Sequence, residues 1–421
     1  MGMKQTDMKR TWIVIGMVAL FCSILFSLYR NPSSGTSGEN LTPWDQQTYI
    51  WQRVWTPQHQ DALLQSHELF SGLRVLGLQL NRDEGLRKIA VDTQMLRQDG
   101  RTVWLVVRLD GQLQHIDSSL VFENLLNQLH QWQQSGLSVT GVEIDYDSPS
   151  SKLVVYQQFL KLLRTRLPQD LQLSLTLLPT WLDSPYLPAL VQQADQSVLQ
   201  VHAVLSPEKG LFDAELAASW IKRYSNVTQK PFYVALPAYG IGLAGFQDQQ
   251  PVVESESSLY IAGQMQEISV QPQTMADFLS QLRLQHIPHL KGLIWFRLPL
   301  EGDRRAWSMP TLKAVILQQA LTVQWIVDAH AQPAESDQTD ALYNLVLRNK
   351  GQIDSVMPKE ITISSDRCQI ADAVGNYRLD SGDQPLRFIR IQSQQLRASR
   401  SQAIGWARCT QLAPGDIHVT P

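Results

Sequence analysis

An α/β fold built as a closed (β/α)₈ barrel, followed by a small β-sandwich, is the class predicted for this chain, and three observations predict it. Eight apolar, strand-like runs fall between Tyr49 and Arg297. Segments of helical periodicity separate most of them. Beyond about Leu321 the pattern gives way to short β-rich runs divided by turn-forming residues.

The eight runs are Tyr49 to Trp55, Leu73 to Leu80, Val103 to Leu109, Val139 to Asp145, Leu171 to Leu177, Val198 to Leu205, Phe232 to Leu236 and Gly292 to Arg297. Helical periodicity is clearest in Leu120 to Trp132, Leu153 to Leu167, Ala214 to Tyr224, Met275 to Leu284 and Leu312 to Leu321. Strand and helix in alternation call for a parallel sheet, and a count of eight favours closure over an open doubly wound sheet. The later runs, Ala341 to Leu347, Glu360 to Ser364, Leu386 to Ile391 and Ala403 to Ala407, have no long amphipathic helix between them. The expected organisation is a tail over 1–10, an apolar span over 11–28, a linker over 29–46, the barrel over 47–321 and the sandwich-like domain over 322–421.

From Thr11 to Leu28 the chain is apolar and uncharged, about the length that crosses a hydrocarbon core, with Lys4, Lys9 and Arg10 just before it. The positive-inside rule puts Met1 in the cytoplasm and everything after Arg30 outside. A cleaved signal peptide is the competing reading, but Leu28-Tyr-Arg-Asn-Pro32 offers no small-x-small cleavage site. An uncleaved anchor follows.

The formal net charge of −3 and the lack of a basic run beyond Lys9-Arg10 argue against a nucleic-acid partner. Of the three cysteines only Cys368 and Cys409 lie outside the apolar span, and in an oxidising compartment they form one disulfide. Two unpaired thiols are the alternative. Neither their spacing nor a neighbouring histidine suggests a metal site, and no cofactor is expected.

The most informative stretch is Val139 to Asp147, Val-Thr-Gly-Val-Glu-Ile-Asp-Tyr-Asp. On a strand, alternate side chains share a face, so Glu143, Asp145 and Asp147 stand in one row. Three carboxylates on a buried face repel one another and lose hydration, so at least one is expected to hold its proton to high pH. Such a row reads either as an acid/base site or as an Arg-neutralised structural cluster.

Barrel chemistry sits at the carboxyl ends of the strands, so each end is expected to contribute. The inward candidates are Trp51, Arg53 and Trp55 on strand one, Gln79 on strand two, and Arg108 with Asp110 on strand three. Strand five offers Ser174, Thr176 and then Trp181; strand six, Gln200 and His202; strand seven, Tyr239; strand eight, Trp295 and Arg297. Aromatic faces beside carboxylates and arginines suit a sugar ring, with plain core packing as the competing reading for each Trp. The arginines would lower carboxylate pKa values, and His202 reads as a hydrogen-bonded interior histidine.

Gly240-Ile-Gly-Leu-Ala-Gly245 fits a dinucleotide fingerprint, but no helix follows it, so it is expected to be a loop over the barrel mouth. Asn40-Leu-Thr42 and Asn226-Val-Thr228 fit the glycosylation acceptor pattern by chance.

Gly141-Val-Glu-Ile-Asp-Tyr-Asp147 resembles the strand-four signature Asp-Gly-x-Asp-x-Asp-x-Glu of chitinase-like enzymes, glycoside hydrolase family 18. Thr140 replaces its first acid, Glu143 its second, and Asp147, one methylene shorter, its final Glu. Trp295 resembles the tryptophan flooring the sugar site there, whereas the strand-six tyrosine motif of that family is missing. A closer resemblance, over nearly the whole region after the span, is to a bacterial family named only as domain of unknown function 3142. It is carried by Tyr49-Ile-Trp-Gln-Arg-Val-Trp55, the acidic row with Tyr156, Leu173-Ser-Leu-Thr176 with Trp181, Gln200-Val-His202 and Gly405-Trp406.

The DUF3142 resemblance supports the fold and leaves function open; with the apolar span and the acidic row, the first expectation is a periplasmic glycoside hydrolase-like barrel, held to the bacterial inner membrane by residues 11–28 and acting on an envelope or extracellular polysaccharide. Asp147 is the expected general acid, Asp145 the orienting or stabilising group and Glu143 their partner, with Trp51, Trp55 and Trp295 against the sugar. The rival expectation is a non-catalytic barrel that binds glycan or protein during envelope assembly.

Overall fold

The computed structural model describes residues 44–420 apart from 203–209, 245–251, 255–265, 333–339, 365 and 381–384. The expected tail, membrane span and most of the linker lie outside the described residues. Among the described residues no helix is long and apolar enough to cross a membrane.

Eight parallel strands close on themselves: β1 (Asp45–Ile50), β2 (Gly72–Asn81), β3 (Thr102–Leu109), β4 (Val139–Tyr146), β5 (Gln172–Leu177), β6 (Gln196–Gln200), β7 (Phe232–Pro237) and β8 (Leu290–Phe296). Each pairs with the next, and β8 returns to β1 through Gln47 opposite Ile294 and Thr48 opposite Trp295. A helix follows every strand: α1 (Pro57–Ser66), α2 (Thr93–Asp99), α3 (Ser118–Gln134), α4 (Leu153–Arg166), α5 (Leu187–Val191), α6 (Ala214–Ser225), α7 (Pro272–Arg283) and α8 (Met309–Ile316). Their starts are written locally. Asp92, Asp117, Asp213 and Ser308 each accept the backbone N–H three residues on, satisfying a donor that a helix start leaves bare.

The period of two along the strands sorts side chains into two cores. Val142, Ile144, Leu173, Leu175, Leu199 and Val201 face outward and pack under the helices. Tyr49, Val106, Val198, Tyr233, Ala235 and Ile294, drawn from five strands, meet one another across the lumen. Gly141 serves this inner packing. A Cβ there would lie 2.2 Å from the Gln172 carbonyl oxygen and 2.8 Å from the Trp104 indole.

After α8, two four-stranded antiparallel sheets share a second core that includes Leu345, Leu347, Ile361, Ile363, Phe388 and Ile404. One sheet holds β9 (Trp325–Ala331), β10 (Ala341–Asn349), β12 (Cys368–Ala373) and β15 (Ser401–Cys409). The other holds β11 (Glu360–Ile363), β13 (Tyr377–Asp380), β14 (Leu386–Arg390) and β16 (Ile417–Thr420). Cys368 and Cys409 are bonded and sit opposite one another on neighbouring strands of one sheet. The bridge therefore staples β12 to β15, and a further strand, β16, follows it.

Two expectations need correction. Strand one ends at Ile50, so Trp51, Arg53 and Trp55 belong to the loop before α1 and do not share a strand face. Gly240–Ala244 is a strand, paired antiparallel with Val252–Glu254 and Gln266–Ser269, where a loop was expected.

Candidate functional site

The acidic row of β4 points into the lumen and is graded by depth. Glu143 is fully buried at the floor, Asp145 is 4 % exposed above it, and Asp147, one residue past the strand, has a side chain 30 % exposed. Two arginines serve the three levels.

At the floor, Arg74 of β2 donates Nη1 to Oε2 of Glu143 and Nε to Oε1 of Gln47 (3.0 Å). Its guanidinium lies 4.7 Å from the Trp104 ring centroid and 5.4 Å from that of Tyr233. Tyr49 donates its hydroxyl to Oε1 of Glu143 at 2.6 Å, and Ser174 donates Oγ to Oε2 at 3.0 Å. Both oxygens of Glu143 are thus engaged. Burial and the adjoining Glu143 push the Tyr49 phenol well above its ordinary range, so it remains a donor.

Higher up, one guanidinium serves two carboxylates. Arg108 places Nη1 2.5 Å from Oδ2 of Asp145 and Nη2 2.6 Å from Oδ2 of Asp147. Burial opposes the Arg108 charge, but the two carboxylates outweigh it and raise its pKa above the ordinary value. Burial also dominates at Asp145. Arg108 pulls its pKa down, Asp147 and Glu143 push it up, and the balance lies at about 6. Among the described residues, Oδ1 of Asp145, Oδ1 of Asp147, Oγ1 of Thr176 and Oγ of Ser148 are buried without a hydrogen-bond partner. Two acceptors and two hydroxyls at the ends of β4 and β5 are thus uncommitted within the protein.

The wall opposite is aromatic. Phe296 lies 5.1 Å from Trp51, 5.2 Å from Tyr239 and 5.9 Å from His202 between ring centroids. His202 is buried with Nδ1 3.3 Å from the Ala235 carbonyl oxygen, and burial lowers its pKa to about 4 in spite of Asp147 nearby. It is a neutral imidazole at physiological pH. Gln200 donates Nε2 to the His202 carbonyl at 3.3 Å. Arg297, 2 % exposed, is paired with Asp303 and lies 5.9 Å from the Tyr239 ring.

The structure separates the other candidates from this group. Trp295 faces outward into the helix layer and donates Nε1 to Gln46 at 2.8 Å, so Phe296 occupies the inward position expected of it. Trp181 is fully buried and donates Nε1 to the Ser148 carbonyl at 2.8 Å, propping the segment after Asp147 from behind. Trp55 stacks on His59 of α1 at 4.6 Å and packs on the outer core. Arg53 donates to Gln79 at 2.9 Å at the rim, and Asp110 accepts the backbone N–H of Gln112 in a turn. Tyr156 donates to the Ile144 carbonyl from behind the sheet, its pKa raised well above the usual by burial.

Sequence reasoning missed Arg74, Tyr49, Trp104, Tyr233 and Phe296. Arg74 had a signal, since a lone arginine inside Gly72-Leu-Arg-Val-Leu-Gly77 must pair with a buried anion. The others looked like ordinary core residues.

Residues 99–301 match the family described as domain of unknown function (DUF3142), and residues 332–410 match a second, DUF8456. The DUF3142 match runs from the end of α2 to the loop after β8. No curated protein matches the chain. Solved structures of similar fold include the Bacillus cereus spore cortex-lytic enzyme SleL, 13 % identical over 66 % of this chain and 74 % of that one, TM-score 0.47. A chitinase from Chromobacterium violaceum ATCC 12472 is 13 % identical over 65 % of this chain and 98 % of its own, TM-score 0.46. A chitinase from Bacteroides thetaiotaomicron is 11 % identical over 66 % and 98 %, TM-score 0.47.

Proposed function

We propose that the barrel binds a polysaccharide across its carboxyl-terminal mouth and hydrolyses it with the Asp145 and Asp147 pair. The observation that carries this reading is that one guanidinium holds both carboxylates, while an Oδ1 of each stays uncommitted beside an aromatic wall. Glycoside hydrolysis needs one carboxyl that carries a proton and one that does not.

Here the proton belongs to Asp145, whose pKa near 6 makes it the general acid toward the leaving oxygen. Asp147, held against Arg108, is the carboxylate that stabilises positive charge developing at the anomeric carbon. This exchanges the roles expected from sequence. Glu143 is committed to Arg74, Tyr49 and Ser174 and fixes the strand from below. Trp51, Phe296 and Tyr239 offer faces to a sugar ring.

The chain is proposed to sit in the periplasm on an inner-membrane anchor at 11–28. The Cys368–Cys409 bridge supports export, because such bonds persist in oxidising compartments. Protease access to the barrel in spheroplasts, but not in intact cells, tests this placement.

A second reading has its own support. Arg108 neutralises both carboxylates, as in a purely binding barrel. Reducing-end release from envelope and biofilm polysaccharides, with Asp145→Asn and Asp147→Asn beside the parent protein, separates the two. Turnover lost in folded variants supports hydrolysis. Glycan binding without turnover in any of the three supports the binding barrel.

A further inference from the structure

We propose that Arg397, in the C-terminal domain, is a positioning residue for the barrel mouth, acting through the loop between β8 and α8. Its role as a sugar-site residue rests on the glycan reading above; its structural action does not. Arg397 is followed by the start of β15, yet its guanidinium leaves its own domain and donates to four carbonyls of that one loop. They are Leu300 (3.1 Å), Glu301 (2.9 Å), Asp303 and Ala306 (3.3 Å). A charged group with that many backbone acceptors fixes the loop's shape far more firmly than a surface ion pair does.

The loop passes that shape to the mouth. Asp303, whose carbonyl Arg397 holds, turns its carboxylate to Arg297, with Oδ2 2.9 Å from Nε and 2.7 Å from Nη2. Its other oxygen accepts the backbone N–H groups of Arg305 and Ala306 at 3.2 Å. Arg297 in turn lies 5.9 Å from the Tyr239 ring, and Tyr239 is bridged to Ala306 through the backbone. The Gly240 N–H donates to the Arg305 carbonyl at 2.8 Å, and the Trp307 N–H to that of Ala238 at 2.9 Å. Both ends of the segment that carries Tyr239 are therefore sewn to the loop that Arg397 clamps.

The domain seam is built around the same purpose. Asp354 accepts the Ser308 N–H (2.8 Å) at the start of α8 with one oxygen and the Ala398 N–H (2.9 Å) beside Arg397 with the other. Arg400 pairs with Glu301. The sandwich thus completes the barrel mouth and sets the position of Tyr239.

The test uses the full chain with Arg397→Met, Arg397→Lys and Asp303→Asn. Three readouts are taken: amide hydrogen exchange over 298–307, nitration of Tyr239 located by mass spectrometry, and glycan affinity, with circular dichroism reporting the fold. Arg397→Met is expected to speed exchange in the loop at least tenfold and raise Tyr239 nitration severalfold, with Tyr377 nitration unchanged. Arg397→Lys is expected to fall between it and the parent protein. Asp303→Asn leaves the sandwich untouched and is expected to reproduce the Tyr239 effect, which keeps the test decisive if Arg397→Met does not fold. In a Tyr239→Ala background, Arg397→Met should weaken glycan binding no further. Unchanged loop exchange and Tyr239 nitration in folded Arg397→Met or in Asp303→Asn would overturn the proposal. Altered exchange and nitration in a protein that binds no glycan would uphold the positioning role and sink the glycan reading alone.

Discussion

Arg74 reaches across the barrel floor to Glu143, and neither side chain is exposed to solvent. This pairing commits one of the three carboxylates to the barrel floor. With both its oxygens bonded, Glu143 fixes the bottom of β4 so that Asp145 and Asp147 project at set heights above it.

Breaking this pair from one side is expected to be costly. Glu143→Gln or Arg74→Met leaves an uncompensated charge or donor in the lumen and should destabilise the fold by about 3–5 kcal/mol. Exchanging both for apolar residues should cost less than the sum of the single changes. Urea unfolding of the four proteins checks this; additive losses would mean that the two charges are not coupled.

Arg108 lowers the pKa of Asp145 against the opposing effect of burial. Arg108→Met is therefore expected to move the Asp145 midpoint above 6, and any glycan turnover that needs the proton should extend to higher pH. A carboxyl titration of the variant reads this shift, and an unmoved or lowered midpoint would contradict it.

His202 and Asp145 pull stability in opposite directions with pH. The folded-state pKa of His202 is lowered to about 4 by burial, so between the ordinary imidazole value and 4 the unfolded chain binds more protons. Its contribution is present above that window and is lost as pH falls, on the order of 3 kcal/mol in all. Asp145 is raised to about 6, so between its ordinary value and 6 the folded chain holds the extra proton and stability falls as pH rises. Relative to the parent, His202→Gln should lose less stability between pH 6.5 and 4, and Asp145→Asn should lose more. Thermal midpoints across that range settle both.

Gly111, in the loop after β3, leaves room for the backbone of Asp147. A Cβ at that position would lie 1.8 Å from the Asp147 carbonyl oxygen. Gly111→Ala is expected to displace Asp147 at a stability cost of about 1–3 kcal/mol while weakening glycan binding or turnover at least tenfold. Equal glycan affinity and turnover in the variant would show that the exact placement of Asp147 is unimportant.

The barrel was legible because its strands are apolar runs and its helices are amphipathic, and those periods survive any choice of partners. The acidic row was legible for the same reason: Glu143, Asp145 and Asp147 alternate with Val142, Ile144 and Tyr146 on one strand. Alternation fails past a strand end. Extending strand one to Trp55 wrongly put Arg53 and Trp55 on a common face, and strand eight carries Phe296 inward where the more familiar Trp295 was expected. The short helices α2 and α5 escaped notice because few turns carry little periodicity, and α1 because the face it buries, His59, Ala62, Leu63 and Ser66, is half polar. Arg108 was readable as a neutralising cation, but its sharing between two carboxylates is a three-dimensional fact. The same holds for the clamp of Arg397 on a loop some ninety residues earlier in the chain.

The central claim is that Asp145, which shares Arg108 with Asp147, holds its proton up to about pH 6. A ¹³C-carboxyl titration of aspartate-labelled protein from pH 3 to 8, with Asp145→Asn to assign the signal, measures it directly. The expected result is a buried carboxyl that titrates near pH 6 and vanishes in Asp145→Asn. An Asp145 carboxyl ionised down to pH 4 would contradict the assignment of the proton and, with it, the proposed general acid.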